Sequence, residues 1–268
     1  MPSSKRSGTS SVEGHDPVAV QEHLVGHGVL APAGSFYALE ASRHAGLGDT
    51  GGVPIAVTWC PLCNSTVVFD RRLDERILTF GATGKLHLSN LIMYDRETSS
   101  WWQQFVGNAI VGELNGGQLD IVPSRVESLA RFRLRYPHGE VMLEPASGER
   151  EYGRNPLVGY DSARQPAFYT GPFPQGVAPL ERVVVAGGQA WTLELVRSQR
   201  RLERGDLVIT WHPGQSSPLD AVSTALGRDI GNVVVQRRTA AGLVDVPYNV
   251  SFAFAFHAFN RKAPIHRR

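Results

Sequence analysis

Short apolar runs separated by glycine and polar turns organise the first half of the chain: "GVPIAVTW", "STVVFD", "ILTFGA", "NLIMYD", "AIVGEL" and "QLDIVP". Their shortness, β-branched content and glycine punctuation predict strands. Helical signals are fewer. Asp16-Pro17 reads as an N-cap followed by proline at the first helical position, opening a helix that Gly26 or Gly28 closes. Ser124, with Glu127 three residues on, reads as a capping box for a helix through "RVESLARFRLRY" to Pro137. Ser217-Pro218 with Asp220 predicts another, "PLDAVSTAL", closed by Gly227. Residues 145–180 are rich in Pro, Gly, Tyr and charge and read as a long, partly ordered connection.

The chain also echoes itself. "FYALEASRHAGLGDTGGVPIAVTWCPLCNS" ends in the same way as "AWTLELVRSQRRLERGDLVITWHPGQSS", and "LDIVPSRVESLARFRLRYP" parallels "LVDVPYNVSFAFAFHAFNRKAP". Each half runs from a strand through a W-x-P turn to a V-P turn and an aromatic segment. An internal duplication with a shortened second copy accounts for this order. The expected fold is therefore β-rich α+β, built as two related halves, each a small sheet with a packed helix. The expected layout is a tail over 1–16, a first repeat over 17–144, a connection over 145–180 and a second repeat over 181–268. The alignment sets Cys60 opposite His212 and Cys63 opposite Gln215.

A net charge of +2 is too weak to argue for nucleic acid. The basic residues at the ends, Lys5 and Arg6, then Arg261, Lys262, Arg267 and Arg268, read as solvated tails. The first sixteen residues lack the apolar core of a signal peptide, and no later run is long enough for a membrane span. The chain as written is expected to be cytoplasmic, with neither nucleic-acid nor membrane partners. It contains no G-x-x-x-x-G-K-[ST], no G-x-G-x-x-G after a strand, no G-x-S-x-G and no H-E-x-x-H, which argues against the common nucleotide-binding folds, serine hydrolases and zincin proteases.

The two cysteines of the chain, Cys60 and Cys63, stand three apart in "VTWCPLCNS". Pro61 fixes φ and turns the chain, which brings the sulfurs side by side. Three readings stand. Two thiolates suit a soft or borderline ion such as copper, with zinc as the alternative. In the redox reading the pair cycles between dithiol and disulfide, although "NSTVVFD" follows as a strand, so no helix N-terminus activates the thiol. Or the cysteines are small buried residues. No second C-x-x-C exists, so a four-cysteine zinc site within one chain is excluded, while two cysteines and a histidine with an open position remain.

These residues resemble a bacterial family catalogued as domain of unknown function 3179. Its signature reads V-T-Y-C-P-L-C-x-S, then S-x-L-V-M-Y-D-R-x-T-x-S-x-W-x-Q, then G-x-A-I-x-G. Here the same positions read "VTWCPLCNS", "SNLIMYDRETSSWWQQ" and "GNAIVG". The resemblance picks out Cys60, Cys63, Ser65, Met93, Tyr94, Asp95, Arg96, Ser100, Trp102, Gln104 and Gly107. Family members carry an upstream segment like W-H-E-I-V-N-D; this chain has "SRHAGLGD", which keeps His44 and Asp49 and loses the Trp, Glu and Asn. The family often looks exported, and this member shows no leader.

The expected metal ligands are Cys60, Cys63 and His44, with Met93 as a weak axial thioether. Asp95 is expected to orient a ligand histidine, Arg96 to hold a carboxylate, and Gln104 to polarise a substrate. His87 and Trp102 are expected to line the pocket. For each, a bland role stands beside this one: a loop histidine for His44, core packing for Met93 and Trp102, an Asp–Arg turn for Asp95 and Arg96, a solvated turn for His87. His212 is expected to be buried and hydrogen-bonded, His257 to sit in an aromatic core. The expected function is a copper-preferring redox protein acting on a small molecule. A non-catalytic copper carrier, or a structural zinc or disulfide in a binding scaffold, is the alternative.

Overall fold

The computed structural model describes residues 54–137, 153–155 and 157–267. The helix expected after Asp16-Pro17, the tail over 1–16, His44 and Asp49 lie outside these residues. The described chain is β-rich α+β, with several small sheets and three short α-helices.

A hairpin leads the fold. Strands β1 (Ile55–Cys60) and β2 (Ser65–Asp70) pair antiparallel, with Thr58 opposite Val67 and Cys60 opposite Ser65. The turn between them closes through Cys63 N–H to Cys60 O at 3.2 Å and Asn64 N–H to Pro61 O at 3.1 Å. Asn64 takes φ 50°, a left-handed conformation that asparagine tolerates better than most residues. Side chains alternate faces along a strand. Ala56, Thr58 and Cys60 therefore share a face with Ser65, Val67 and Phe69, while Ile55, Val57, Trp59, Thr66 and Val68 occupy the other. Both faces are covered, which is why nearly every residue of the hairpin is buried.

The cysteine face packs against a four-stranded sheet of order β5-β6-β7-β8: Phe80–His87, Asn90–Asp95, Trp101–Gln103 and Ala109–Val111. A two-residue ladder, β3 (Arg72–Leu73) with β4 (Arg76–Ile77), links hairpin to sheet. "QLDIVP" forms no strand of its own. It makes isolated bridges, Gln118 to Asn108 and Ile121 to Phe69, and Val122 N–H bonds Val68 O at 2.8 Å. Gly107 has φ +78°, and a Cβ there would stand 2.5 Å from Phe69 Cε1, so no other residue fits without displacing that ring.

The second half holds two four-stranded sheets. One has order β15-β9-β10-β16, comprising Asn249–Phe252, Arg182–Ala186, Gln189–Thr192 and Ile265–His266. The other is the meander β11 (Arg201–Arg204), β12 (Leu207–His212), β13 (Asn232–Thr239) and β14 (Gly242–Asp245). Helix α1 (Leu129–Arg135) closes the first half, α2 (Leu193–Gln199) follows β10, and α3 (Ala253–Phe259) follows β15. Thr192 caps α2 by accepting from Leu195 N–H at 3.4 Å.

Two expected helices are shorter than the sequence pattern implies, for the same reason. Ser124 and Glu127 do not form a capping box. The segment before α1 crosses onto the second half, where Arg125 holds Asp245 through two hydrogen bonds of 2.7 and 2.6 Å and Ser128 N–H bonds Asn232 Oδ1 at 2.7 Å. Glu127 accepts from Arg135, so its carboxylate is unavailable to the capping position. Likewise "PLDAVSTAL" gives a single 3-10 turn, Thr224–Leu226. Ser217 is turned inward to donate to Asp161 at 2.5 Å and accept from Arg182 at 2.8 Å.

That contact also orders the described part of the connecting segment. Asp161 Oδ2 meets Arg182 at 2.9 Å and Arg228 at 3.0 Å, and both Asp161 and Arg182 are almost wholly shielded from solvent. Burial lowers the pKa of the Arg182 guanidinium, against the raising effect of the Asp161 carboxylate. Among the described residues no helix is long and apolar enough to cross a membrane. Removing one partner of such a pair leaves a buried charge unmatched. Asp161→Ala is expected to lower stability by about 3–5 kcal/mol, read from the denaturant midpoint. A loss under about 1 kcal/mol would show that the network does not hold the connection.

Candidate functional site

Cys60 and Cys63 are both fully buried and both free thiols. Four segments enclose them. The tip of the β5–β6 hairpin supplies Ser89 O, which lies 3.3 Å from Cys63 Sγ and 4.0 Å from Cys60 Sγ. The connecting segment supplies Tyr160, whose hydroxyl donates to Leu62 O at 3.1 Å. Strand β15 runs beside the turn, with Phe252 N–H bonded to Cys63 O at 2.9 Å and Asn64 Nδ2 to Val250 O at 2.9 Å. Phe254 and Ala255 of α3 complete the apolar cluster that contains both cysteines.

The hairpin tip is strained. Leu88 and Ser89 take φ 53° and 62°, consecutive left-handed residues at a two-residue turn between His87 and Asn90. Such turns favour Asn-Gly, and a branched residue there is held by its surroundings. Ser89 Oγ donates to Ala167 O at 2.6 Å, which fixes the carbonyl against the sulfurs.

Beneath the thiols lies a buried amide network. Gln104 Oε1 accepts from Ser65 Oγ and from Asn90 Nδ2, each at 2.8 Å, and Gln104 Nε2 donates to Thr58 Oγ1 at 2.9 Å. Asn90 Oδ1 accepts from Gln103 Nε2 at 2.5 Å and from Phe105 N–H at 3.0 Å. Thr58, Ser65, Asn90 and Gln104 have no exposed surface. Buried polar groups tied in this way fix one arrangement of the strands that carry them.

The two thiols titrate apart. Burial disfavours the Cys60 thiolate, but hydrogen bonds from the Cys63 thiol and from the amides of Leu91, Cys63 and Leu62 outweigh it and hold its pKa below the ordinary thiol value. Burial, then the neighbouring Cys60 charge, pushes Cys63 well above that value, against the Asn90 carboxamide. Losing one proton from the pair is thus easier than losing two.

The other expected site residues fall in several places. Met93 is buried in the same apolar cluster as the cysteines, paired across the sheet with Ala82 and Trp102. Asp95 is fully buried and closes the β6–β7 turn: its carboxylate accepts from Thr98 N–H at 2.6 Å and from Trp102 Nε1 at 2.8 Å. Trp102 packs edge-on to Phe80 with centroids 5.9 Å apart. Arg96 is exposed, donating to Phe80 O and lying over the Tyr94 ring. His87 is exposed beside Phe259, with ring centroids 6.5 Å apart. Only Gln104 joins the network beside the cysteines, through Thr58, Ser65 and Asn90. His212 is exposed rather than buried, because β12 ends there, and His257 is half-buried on α3. Among the described residues no three His, Cys, Asp or Glu side chains gather to hold a metal.

Ser89, Asn90, Thr58 and Tyr160 are the contributors that sequence reasoning did not single out. Asn90 had a signal, a polar residue at the head of an otherwise apolar strand. A family model described as protein of unknown function (DUF3179) matches residues 46–263, most of the chain. The chain belongs to that family. The match takes in the cysteine hairpin, the β5–β8 sheet and the second half together. No curated protein and no solved structure matches the chain.

The opposed shifts set a pH dependence. A depressed folded pKa makes Cys60 add stability as pH rises toward the ordinary thiol value. Above that value the unfolded chain ionises both thiols while the folded chain keeps a proton on Cys63, so stability falls. The denaturant midpoint is expected to peak near the ordinary thiol value and to decline above it, and Cys63→Ser is expected to lessen the decline, leaving the part due to the raised Tyr160 and Tyr169 hydroxyls. A decline unchanged in that variant would show that the Cys63 proton is not responsible.

Proposed function

We propose that Cys60 and Cys63 are the protein donors of a mononuclear soft-metal site, copper preferred and zinc the alternative, serving redox chemistry on a small molecule. The observation that carries this reading is the pair of free, fully buried thiols held side by side in one turn beneath Ser89 O. A cation between them replaces the Cys63 proton. Ser89 O against the sulfurs and the Asn90–Gln104–Ser65 network beneath them hold the donors in place, as outer partners of metal ligands do. A soft thiolate pair suits copper(I), which when bound would supply one-electron chemistry. His44 remains the proposed third donor and Met93 the weak fourth. Arg96, Asp95, Gln104, His87 and Trp102 do not assemble around one pocket, so any catalytic role for Asp95 or Gln104 would be exercised by positioning.

Complete burial argues against exchange with a protein disulfide, since the attacking sulfur must reach a cysteine in line. The same burial favours, as a second reading, a protein that holds copper without turning over a substrate. We also read the halves as copies of one ancestor. In each, a seven-residue helix begins seven positions after the valine of a Val-Pro pair, Val122 to Leu129 and Val246 to Ala253. In each, a strand ending in a Trp-x-Pro turn pairs antiparallel with the next strand.

Metal content by mass spectrometry tests the proposal, on protein reloaded with copper or with zinc. Wild type is expected to hold about one copper per chain, and Cys60→Ser, Cys63→Ser and His44→Ala to lose it. Oxygen consumption by the copper form then separates catalysis from carriage. Tight zinc alone, whose removal unfolds the protein, would make the site structural. Metal-free protein with the sulfurs joined would overturn the proposal.

A further inference from the structure

A cleft of about 240 Å³ lies on the side of the cysteine hairpin away from the sulfurs. Trp59 and Thr66 of the hairpin form one wall, Glu127 of the segment before α1 another, and Gln215, Ala225 and Tyr248 of the second half the rest. The two echoing phrases, "TWCPLCNS" and "TWHPGQSS", therefore meet across one space. Neither cysteine lines it.

Its chemistry is specific. Trp59 and Tyr248 offer ring surfaces, and most of the wall is apolar. The residues that line it include no Lys, Arg or His. Its one ionisable carboxylate, Glu127, is almost wholly shielded and is held by Arg135. Several donors nearby are already engaged: the Tyr248 hydroxyl bonds Val233 O at 2.7 Å, Asn64 Nδ2 bonds Val250 O at 2.9 Å, and Thr66 N–H bonds Asn249 Oδ1 at 3.2 Å. One acceptor is left over. Gln215 Oε1 is shielded from solvent and takes no hydrogen bond from the protein. An unmatched buried oxygen carries a penalty of about 1–3 kcal/mol, which a donor on a ligand relieves once the carboxamide turns to meet it.

We propose that this cleft binds an uncharged ring compound carrying an N–H or O–H donor, with the ring between Trp59 and Tyr248 and the donor on Gln215 Oε1. A carboxylate is rejected because it would be desolvated beside Glu127 with no cation to receive it. This inference does not depend on metal at the cysteines.

Benzamide, indole and benzoate test it against the full chain by ligand-observed NMR, benzamide and benzoate differing in charge at nearly equal shape. Benzamide and indole are expected to bind with millimolar Kd, and benzoate at least about tenfold more weakly. Gln215→Ala is expected to weaken benzamide about five- to tenfold. Ala225→Trp, at an exposed position of the rim, is expected to abolish binding of both neutral probes. If that variant does not fold, Gln215→Ala decides. Absence of binding by both neutral probes, benzoate binding as well as benzamide, or benzamide affinity unchanged in Gln215→Ala would each overturn the proposal.

Discussion

Asn90 receives Gln103 and the Phe105 amide on its oxygen, and gives its nitrogen to Gln104 and Ser65. Through those bonds one side chain at the head of β6 ties the β7 strand to the cysteine hairpin at Ser65, the residue paired with Cys60. The rest of the site follows from it. With β6 fixed at Asn90, Ser89 can stand only at the hairpin tip before it, and its carbonyl meets the thiols. With Gln104 fixed from below, Ser65 and Thr58 are held in register, and Cys60 is placed opposite Ser65. A fully satisfied buried network fixes a unique packing where an apolar core would permit several.

Much of this was legible in the chain because the signals were local. Apolar runs with glycine punctuation marked β1, β2 and β6, and the spacing of Cys60 and Cys63 marked a paired-sulfur turn. Where sequence reasoning failed, a distant partner had taken over a local signal. The Ser124–Glu127 pattern is a sound capping box in isolation, but Asp245 claims Arg125 and Asn232 claims the Ser128 amide, so the chain stays extended until Leu129. Ser217 likewise serves Asp161, from the connecting segment, and "PLDAVSTAL" is left with one turn.

Site residues divide along the same line. Gln104 was found through the family pattern, and it does join the network beside the thiols through Thr58, Ser65 and Asn90. Asp95 and Trp102 were picked out by the same pattern and bond each other instead, at a turn. A motif rich in Asp, Arg, Ser, Trp and Gln records both the chemistry of a site and the closure of the strand that carries it, and no local pattern separates the two. Ser89 and Leu88 lie at the opposite extreme. Neither residue type announces a left-handed pair, and only the hairpin register reveals it.

The hairpin explains why two distinct environments share so few residues. Period-two alternation sends Thr58, Cys60, Ser65 and Val67 to the network, and Trp59 and Thr66 to the cleft. A slip of one residue in pairing would exchange the faces, setting the sulfurs in the cleft and Trp59 against Asn90. The turn prevents it: Cys63 and Asn64 close on Cys60 and Pro61, and β15 then clamps Cys63 O and Asn64 from the second half. The second half is thus more than a support. It supplies the strand that locks the register of the first, and with Gln215 and Tyr248 it supplies the far wall of the cleft. A change at that clamp would act on both environments at once, since Asn64 closes the cysteine turn and also lines the cleft.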